Sequence, residues 1–341
     1  MKELRILILI YLTTCTMNAQ VGGESIYQFL NISTSAKQSA LGGKVLTLVN
    51  DINQPIWNPA VINEQLDNQL SLNYISYLSG INIGSVSYAK RINRRFGTIH
   101  GSVKYLNYGN LLASDDSGNV IGSFTANDIA ISFGYAINLP WTNVYAGINL
   151  KYINSTIDTY SSSGIVADLG LLYHNPYKPY IITLVVRNLG TQISTFNGTK
   201  EKLPLEIVLG GSYKLENVPV KWYLTLDNLQ QWKLGVINPS NQTTDIEGNV
   251  TEEKINFLNN ALRHFIIGVE LFPENIINLR LGYNFRRSQE LKLQNVRTFS
   301  GISFGFGLKM NKIKLNYAYS KIHTASNIST FSLQIDLDKR R

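Results

Sequence analysis

The stretch GISFGFGLKMNKIKLNYAYS, Gly301 to Ser320, holds two alternating runs joined by a short turn. Ile302, Phe304, Phe306 and Leu308 take turns with Ser303, Gly305, Gly307 and Lys309. After Met310-Asn311-Lys312, the residues Ile313, Leu315, Tyr317 and Tyr319 take turns with Lys314, Asn316, Ala318 and Ser320. Strict two-residue alternation marks a strand whose two faces meet different surroundings. A Lys or Arg facing lipid at mid-bilayer costs roughly 2 to 4 kcal/mol, so in a membrane the face with Lys309 and Lys314 turns inward and the aromatic row turns out.

Working outward, the same rhythm recurs. Trp222, Leu224 and Leu226 alternate with Lys221, Tyr223, Thr225 and Asp227, and Phe265, Ile267, Val269 and Leu271 with His264, Gly268 and Glu270. Leu279, Leu281, Tyr283 and Phe285 oppose Arg280, Gly282, Asn284 and Arg286, and at the end Phe331, Leu333, Ile335 and Leu337 oppose Ser332, Gln334 and Asp336. The pattern predicts an all-β chain of about fourteen antiparallel strands of roughly nine to eleven residues, enough for tilted strands to cross the hydrocarbon. A soluble sandwich alternates too. The connections separate the two readings. Arg91 to Phe96, Leu139 to Asn143, Asn175 to Pro179, Glu216 to Pro219, Phe272 to Asn275 and Met310 to Lys312 are short. Between them stand connections read as long, around Ser114 to Gly118, then Asp158 to Ser163, Thr191 to Lys202, Gln230 to Arg263 and Ser288 to Thr298. Short periplasmic turns, long external loops and an even strand count, with both termini in the periplasm, are the habit of outer-membrane barrels.

Composition agrees. Charged residues are 16% of the chain, against about a quarter in soluble proteins. Tyrosine is frequent, with 19 Tyr, beside 26 Gly and only 9 Pro. No stretch after the leader reaches the roughly 20 apolar residues of a membrane helix. The net charge of +8, about +7 without Lys2, Glu3 and Arg5, is scattered and forms no basic stripe with interleaved aromatics; nucleic-acid binding is therefore not expected. Residues 1–19 read as a secretory signal: the basic start MKELR, the short apolar core ILILIYL and a small residue, Ala19, before Gln20. The only cysteine, Cys15, leaves with it; lipidation at Cys15 is the alternative, with Leu12-Thr13-Thr14 a poor site for it. A mature chain without cysteine has no disulfide framework and no thiolate site.

One stretch breaks the alternation. Ser33 to Ile62, STSAKQSALGGKVLTLVNDINQPIWNPAVI, offers a short helical start, a Gly42-Gly43 break, an apolar run from Val45 to Val49 and the turn-rich segment Trp57-Asn58-Pro59-Ala60. We read 20–68 as an N-terminal plug or lid entering one mouth of the barrel from the periplasm, and 69–341 as the barrel. Trp57 and Pro59 are expected against the inner wall near the periplasmic mouth; an arm along a soluble β domain is the alternative.

Other motifs carry less. Gly301-Ile302-Ser303-Phe304-Gly305 matches the hydrolase elbow G-x-S-x-G, but sits inside an alternating strand where the elbow needs strand, turn and helix. Thr34 stands where an S-x-x-K pair with Lys37 would need Ser. His100, His174, His264 and His323 are far apart in no metal-ligand pattern, and no cofactor or metal is expected. The inward rows carry Lys104, Asp168, Arg187, Glu206, Lys221, Asp227, Glu270, Arg280 and Arg286, mixed charge that either pairs itself closed or lines a polar path. In the longest loop, Trp232, Asn238 and Pro239 precede a segment with Thr251 as its expected N-cap and Phe257, Leu258, Ala261 and Leu262 as its apolar stripe. Such a long loop suits partner docking; packing on the barrel rim is the alternative.

SAKQSALGG, then VNDINQPIWNPA, then about fourteen strands resembles the long-chain fatty-acid transporter (FadL-type) outer-membrane barrels, with Asn58-Pro59-Ala60 matching their N-terminal hatch. RHFIIGVEL, LRLGYNFRRSQEL and FSGISFGFGLKMNKIKLNYAYS narrow the resemblance to the PorQ barrels of the Bacteroidota type IX secretion system, related to PorV. The resemblance covers essentially the mature chain; the end, DLDKRR, lacks the terminal aromatic common in such barrels. It implies a non-enzymatic outer-membrane component of the attachment complex, holding a PorZ-like surface protein beside a PorU-like sortase and a PorV-like barrel. The wider FadL-like family implies instead a channel for hydrophobic compounds. The polar inward rows favour the anchor, since a greasy ligand needs an apolar pocket.

Overall fold

The structure is a computed structural model; it describes residues 25–140, 142–235, 243–244, 250–251, 255–291, 299–321 and 327–338. Residues 1–19, expected as a leader, and with them Cys15, lie outside the described residues, as do Asn238, Pro239 and His323.

Alternating segments become strands β1 (Gln69–Ser76), β2 (Asn82–Asn93), β3 (Gly97–Ser114), β4 (Val120–Asn138), β5 (Val144–Ile157), β6 (Tyr160–His174), β7 (Tyr180–Ser194), β8 (Glu206–Lys214) and β9 (Val220–Leu226). A small ribbon follows, β10 (Thr243–Thr244) with β11 (Val250–Thr251), then β12 (Phe265–Leu271), β13 (Ile277–Asn284), β14 (Ile302–Lys309), β15 (Ile313–Lys321) and β16 (Asn327–Asp336). Without the ribbon, the other fourteen pair antiparallel in chain order and close into a barrel, β1 meeting β16 with Gln69 opposite Asp336 and Ser76 opposite Ser329. Closure leaves no unpaired edge inside a membrane. Among the described residues no helix is long and apolar enough to cross one; the strands do the crossing.

Two lengths differ from expectation. The strands range from 7 residues in β9 and β12 to 18 in β3 and 19 in β4. The uppermost partner of β3 on β2 is Asn107, opposite Asn82, and that of β4 on β5 is Ala126, opposite Ile157. Beyond them, apart from the Asp158 amide donating to the Thr125 carbonyl at 3.0 Å, the β3–β4 hairpin pairs with itself, as far as Ser114 opposite Val120. At its tip the Asp115 carboxylate accepts from the Ser117 and Asn119 amides, and its bonds from Asn119 hold the carboxyl below its ordinary pKa. The segment from Asp158 to Ser163, expected as a long loop, is instead a tight turn between Ile157 and Tyr160, with Asp158 at φ 54°. Strand pairing runs to the tips of both hairpins, and so the end of a period-two sequence does not mark the edge of a membrane.

On the outer face an aromatic row runs across strands. Phe306 lies opposite Tyr317, Tyr317 opposite Phe331 and Phe331 opposite Tyr74. Ring centroids are 5.7 Å apart in the first pair and 5.1 Å in the second, within the range in which cross-strand aromatics stabilise a sheet. On the inner face Lys104, Asp168, Arg187, Glu206, Asp227, Glu270 and Arg280 are all buried. Lys221, Lys314 and Arg286, also read as inward, are half-buried, and Lys309, which ends β14, is exposed at the rim.

Candidate functional site

The lumen is occupied from end to end by residues 25–67. Ser25 forms a bridge with Lys202 in the β7–β8 loop, and the Ile26 amide donates to the Lys202 carbonyl at 2.9 Å. Tyr27 reaches Ser162 at 2.6 Å, and Phe29 and Leu30 cluster with Ile75 and Ile83, beside the β1–β2 connection. Helix α1 (Ala36–Ala40) then lies against Ala318 of β15. Further along, Ile52 and Leu66 pack on Ala89, and the Arg91 amide donates to Asp67 at 2.7 Å beside the β2–β3 turn. The segment therefore starts at the long-loop end and descends to the short-turn end, where β1 begins. This corrects the expectation of a lid at one mouth: residues 51–62 are buried throughout, while Gln28, Asn50, Glu64 and Gln65 are exposed, and a segment enclosed by wall has no side-chain period imposed on it.

The motif residues are the ones that fit it there. Gly42 and Gly43, at φ 97° and 98°, take left-handed conformations that end α1, which only glycine adopts without strain. Asn58 caps the turn Pro59–Val61 by accepting from the Ala60 amide at 3.0 Å, while its amide nitrogen donates to the Leu46 carbonyl at 2.8 Å and to Thr183 of β7 at 2.9 Å. Pro59 sits at the first turn position, where its missing N–H costs nothing. Wall glycines accept the plug. A Cβ at Gly147 would collide with the Pro59–Ala60 backbone and one at Gly282 with the Leu41–Gly42 backbone; at Gly170 it would stand 2.5 Å from the Asn58 oxygen and at Gly305 2.8 Å from Ala40 Cβ.

Trp57 lies deeper than expected. It is 3% exposed and packs with Leu46, Ile56, Val185 and Val208, the last two well inside β7 and β8, with the Arg187 guanidinium 3.8 Å from its ring centroid. Arg187 also binds Glu206 at 2.8 Å and the Leu30 carbonyl at 3.3 Å. Glu206 in turn takes Lys44 from the plug, and Lys44 reaches Asp227 at 3.0 Å. A second knot joins Lys37 to Glu270 at 3.1 Å, Arg280 to the same carboxylate at 2.9 Å and the Tyr223 hydroxyl to it at 2.8 Å. Lys104 donates to the Phe29 and Ile32 carbonyls, both at 2.5 Å. Buried charges persist when they are paired and hydrogen-bonded. Here Lys37 and Lys44 of the plug join carboxylates that the wall's own Arg280 and Arg187 already hold. Lys44 was not singled out from sequence, and Lys37 only as part of an incomplete S-x-x-K; their signal is two cations within a segment that has to lie against inward acids.

The chemistry-like motifs resolve into the same fit. Ser303 is buried in β14, accepting from the Gly42 amide and donating to the Ala40 carbonyl, both at 3.1 Å. Thr34 accepts from Ser85 at 2.9 Å. Among the described residues no three His, Cys, Asp or Glu side chains converge as metal ligands.

At the long-loop end, helix α2 covers Phe257–Leu262 with Asn256 at its N-cap position; Thr251, expected there, pairs with Thr243 in the ribbon. Asn260 anchors it, accepting from the Leu234 amide at 3.0 Å and donating to the Trp232 carbonyl. Trp232 stands 5.0 Å from Phe257 and 5.4 Å from His264, centroid to centroid. Phe257 at 74% and Leu258 at 68% are exposed, and Trp232 and Leu262 are partly so. The structure brings these four together.

Comparison with known proteins adds to this geometry. The family described as type IX secretion system protein PorV matches residues 18–170, the plug and β1 to most of β6. That stretch is similar to PorV. No curated protein matches the sequence. Among solved structures, the Ralstonia pickettii toluene transporter TbuX is 11% identical with a TM-score of 0.54, the match covering 90% of this chain and 99% of that one. The KdgM porin is 6% identical at a TM-score of 0.33, covering 78% of this chain and 98% of that one. CdiB from Acinetobacter baumannii is 9% identical at 0.34, covering 78% and 59%. The likeness to TbuX is one of fold, a closed β-barrel; the other two scores are too low to argue from.

Proposed function

We propose that the protein is a non-enzymatic outer-membrane component of the type IX secretion system, a PorQ-like barrel that anchors a PorZ-like surface protein beside PorU-like and PorV-like components. The observation that carries this reading is the plug: its backbone abuts wall glycines, and Lys37 and Lys44 pair with the wall acids Glu270, Glu206 and Asp227. A pore closed at every level has only its ends with which to act. The short-turn end offers little area, and a stable partner needs about 800 Å² on each side. The long-loop end offers Trp232, Phe257, Leu258 and Leu262. The family match supports the secretion system. A FadL-like channel for hydrophobic compounds is the competing reading, suggested by the name of TbuX.

Short turns in the periplasm place Ser25 and the long loops outside the cell. A Ser25→Cys variant, in a chain whose only other cysteine is Cys15 of the leader, should react with a membrane-impermeant maleimide on intact cells. Lys178→Cys should not. The reverse pattern contradicts the orientation. For the anchor, shortening residues 230–250 to a tight turn should leave a heat-resistant barrel and release the surface partner into the medium; full retention on a folded barrel moves the contact elsewhere.

A further inference from the structure

The short-turn end has a chemistry that the anchoring role does not use. Arg94 and Arg95 in the β2–β3 turn, Lys178 in the β6–β7 turn and Lys309 at the end of β14 are exposed, and Lys312 in the β14–β15 turn is half-buried. None has a carboxylate within ion-pair distance among the described residues; Lys214, by contrast, is held by Glu274 at 2.5 Å, a bond that keeps the Glu274 carboxyl below its ordinary pKa. Each basic turn also exposes a large apolar side chain: Phe96, 53% exposed, beside Arg95, Tyr177, 94% exposed, beside Lys178, and Met310, 56% exposed, between Lys309 and Lys312. The other end is different. Its tight turns carry Asp115, Asp116 and Asp158.

We infer that these turns form a belt that binds the anionic phospholipid headgroups of the periplasmic leaflet. Two features favour lipid over a protein. The basic turns are spread around the closed barrel, after β2, β6 and β14, so what they meet surrounds the molecule, whereas a globular partner touches one side. An apolar group paired with a cation at the edge of a membrane wall is also the arrangement that enters the headgroup region, the ring or thioether in the acyl boundary and the charge on phosphate. Lys and Arg near an anionic leaflet are attracted individually, and the attraction falls off within a Debye length. The belt rests on the periplasmic assignment of the short-turn end.

The test is kept independent of that assignment by using bilayers with identical leaflets. The purified full chain is placed in nanodiscs made from mixed phosphatidylglycerol and phosphatidylcholine, extracted gently and analysed for retained lipid, alongside a variant carrying R94Q, R95Q, K178Q and K312Q. Heat-modifiable migration on gels checks that the variant is a folded barrel. Phosphatidylglycerol should be enriched about twofold or more over the supplied mixture, and the enrichment should vanish in the variant and at high salt. No enrichment with the native chain overturns the belt and leaves the turns to an acidic periplasmic protein; enrichment that survives the substitutions overturns it as well. If the lipid preference holds while Lys178→Cys is labelled from outside, the orientation fails and the headgroup chemistry stands.

Discussion

Between Ser33 and Ile62 the chain buries charged, polar and apolar side chains alike; between Phe257 and Leu262 it leaves two large apolar side chains largely open to water. The plug places Lys37 and Lys44 among carboxylates, where a soluble protein would place leucine, and α2 exposes Phe257 and Leu258 where a soluble protein would place lysine. An isolated exposed apolar residue is ordinary, whereas a cluster on a helix held by a buried Asn260 is where the proposed partner would dock. Under the proposed anchoring role, the inside serves structure and the outside recognition.

The strongest way to break that contrast is to deny the plug its seat. Gly282→Val would drive a side chain into the Leu41–Gly42 backbone, which cannot rotate away as a side chain can, so the overpacking cost exceeds the usual 1 to 3 kcal/mol or so. Outer-membrane fractions should contain little or no heat-modifiable barrel. Normal assembly would mean that the plug can sit elsewhere.

Next in size is Trp57→Ala. It removes a buried aromatic and the face on which Arg187 rests; about 3 to 5 kcal/mol of stability is expected to go, read as a lower temperature of heat modification. Glu206→Gln should cost a similar amount, since it leaves Lys44 and Arg187 with less than their charge balance in a buried site. Unaltered heat resistance in both would show that the plug contributes nothing to the barrel.

How far these residues could be read from sequence follows from how they are constrained. Alternation from Ile302 to Ser320 reproduces β14 and β15 nearly to the residue, because one face meets lipid along the whole strand. Trp57, Asn58, Pro59 and Ala60 stood out as a break in that alternation, yet the route of the plug did not, since its shape comes from wall positions such as Gly147 and Glu206 that are distant in the chain. The tight turn at Asp158 and the long β3–β4 hairpin were misjudged for a related reason: strands that rise above a membrane keep their alternation. Trp232 and Phe257 stood out as part of a long loop, and their contact depends on Asn260, whose role has no local sequence signature.

The smallest effect on stability sharpens the comparison from the other side. A double substitution of Phe257→Ser and Leu258→Ser should change heat resistance by no more than about 0.5 kcal/mol, as exposed positions do, while lowering the amount of surface partner held on cells. Loss of heat resistance would place α2 in the barrel's own packing instead.

Under the proposed role, the plug stays in place while the outside works. Ala40 of α1 packs against Ala318 of β15, so an Ala40→Cys, Ala318→Cys pair can lock plug to wall by a disulfide. Partner retention on intact cells, measured with the lock closed and again after reduction, should be full and equal in both states, and uptake of hydrophobic compounds should not respond to either. A partner released or an uptake switched off by the closed lock, and restored by reduction, would contradict the claim.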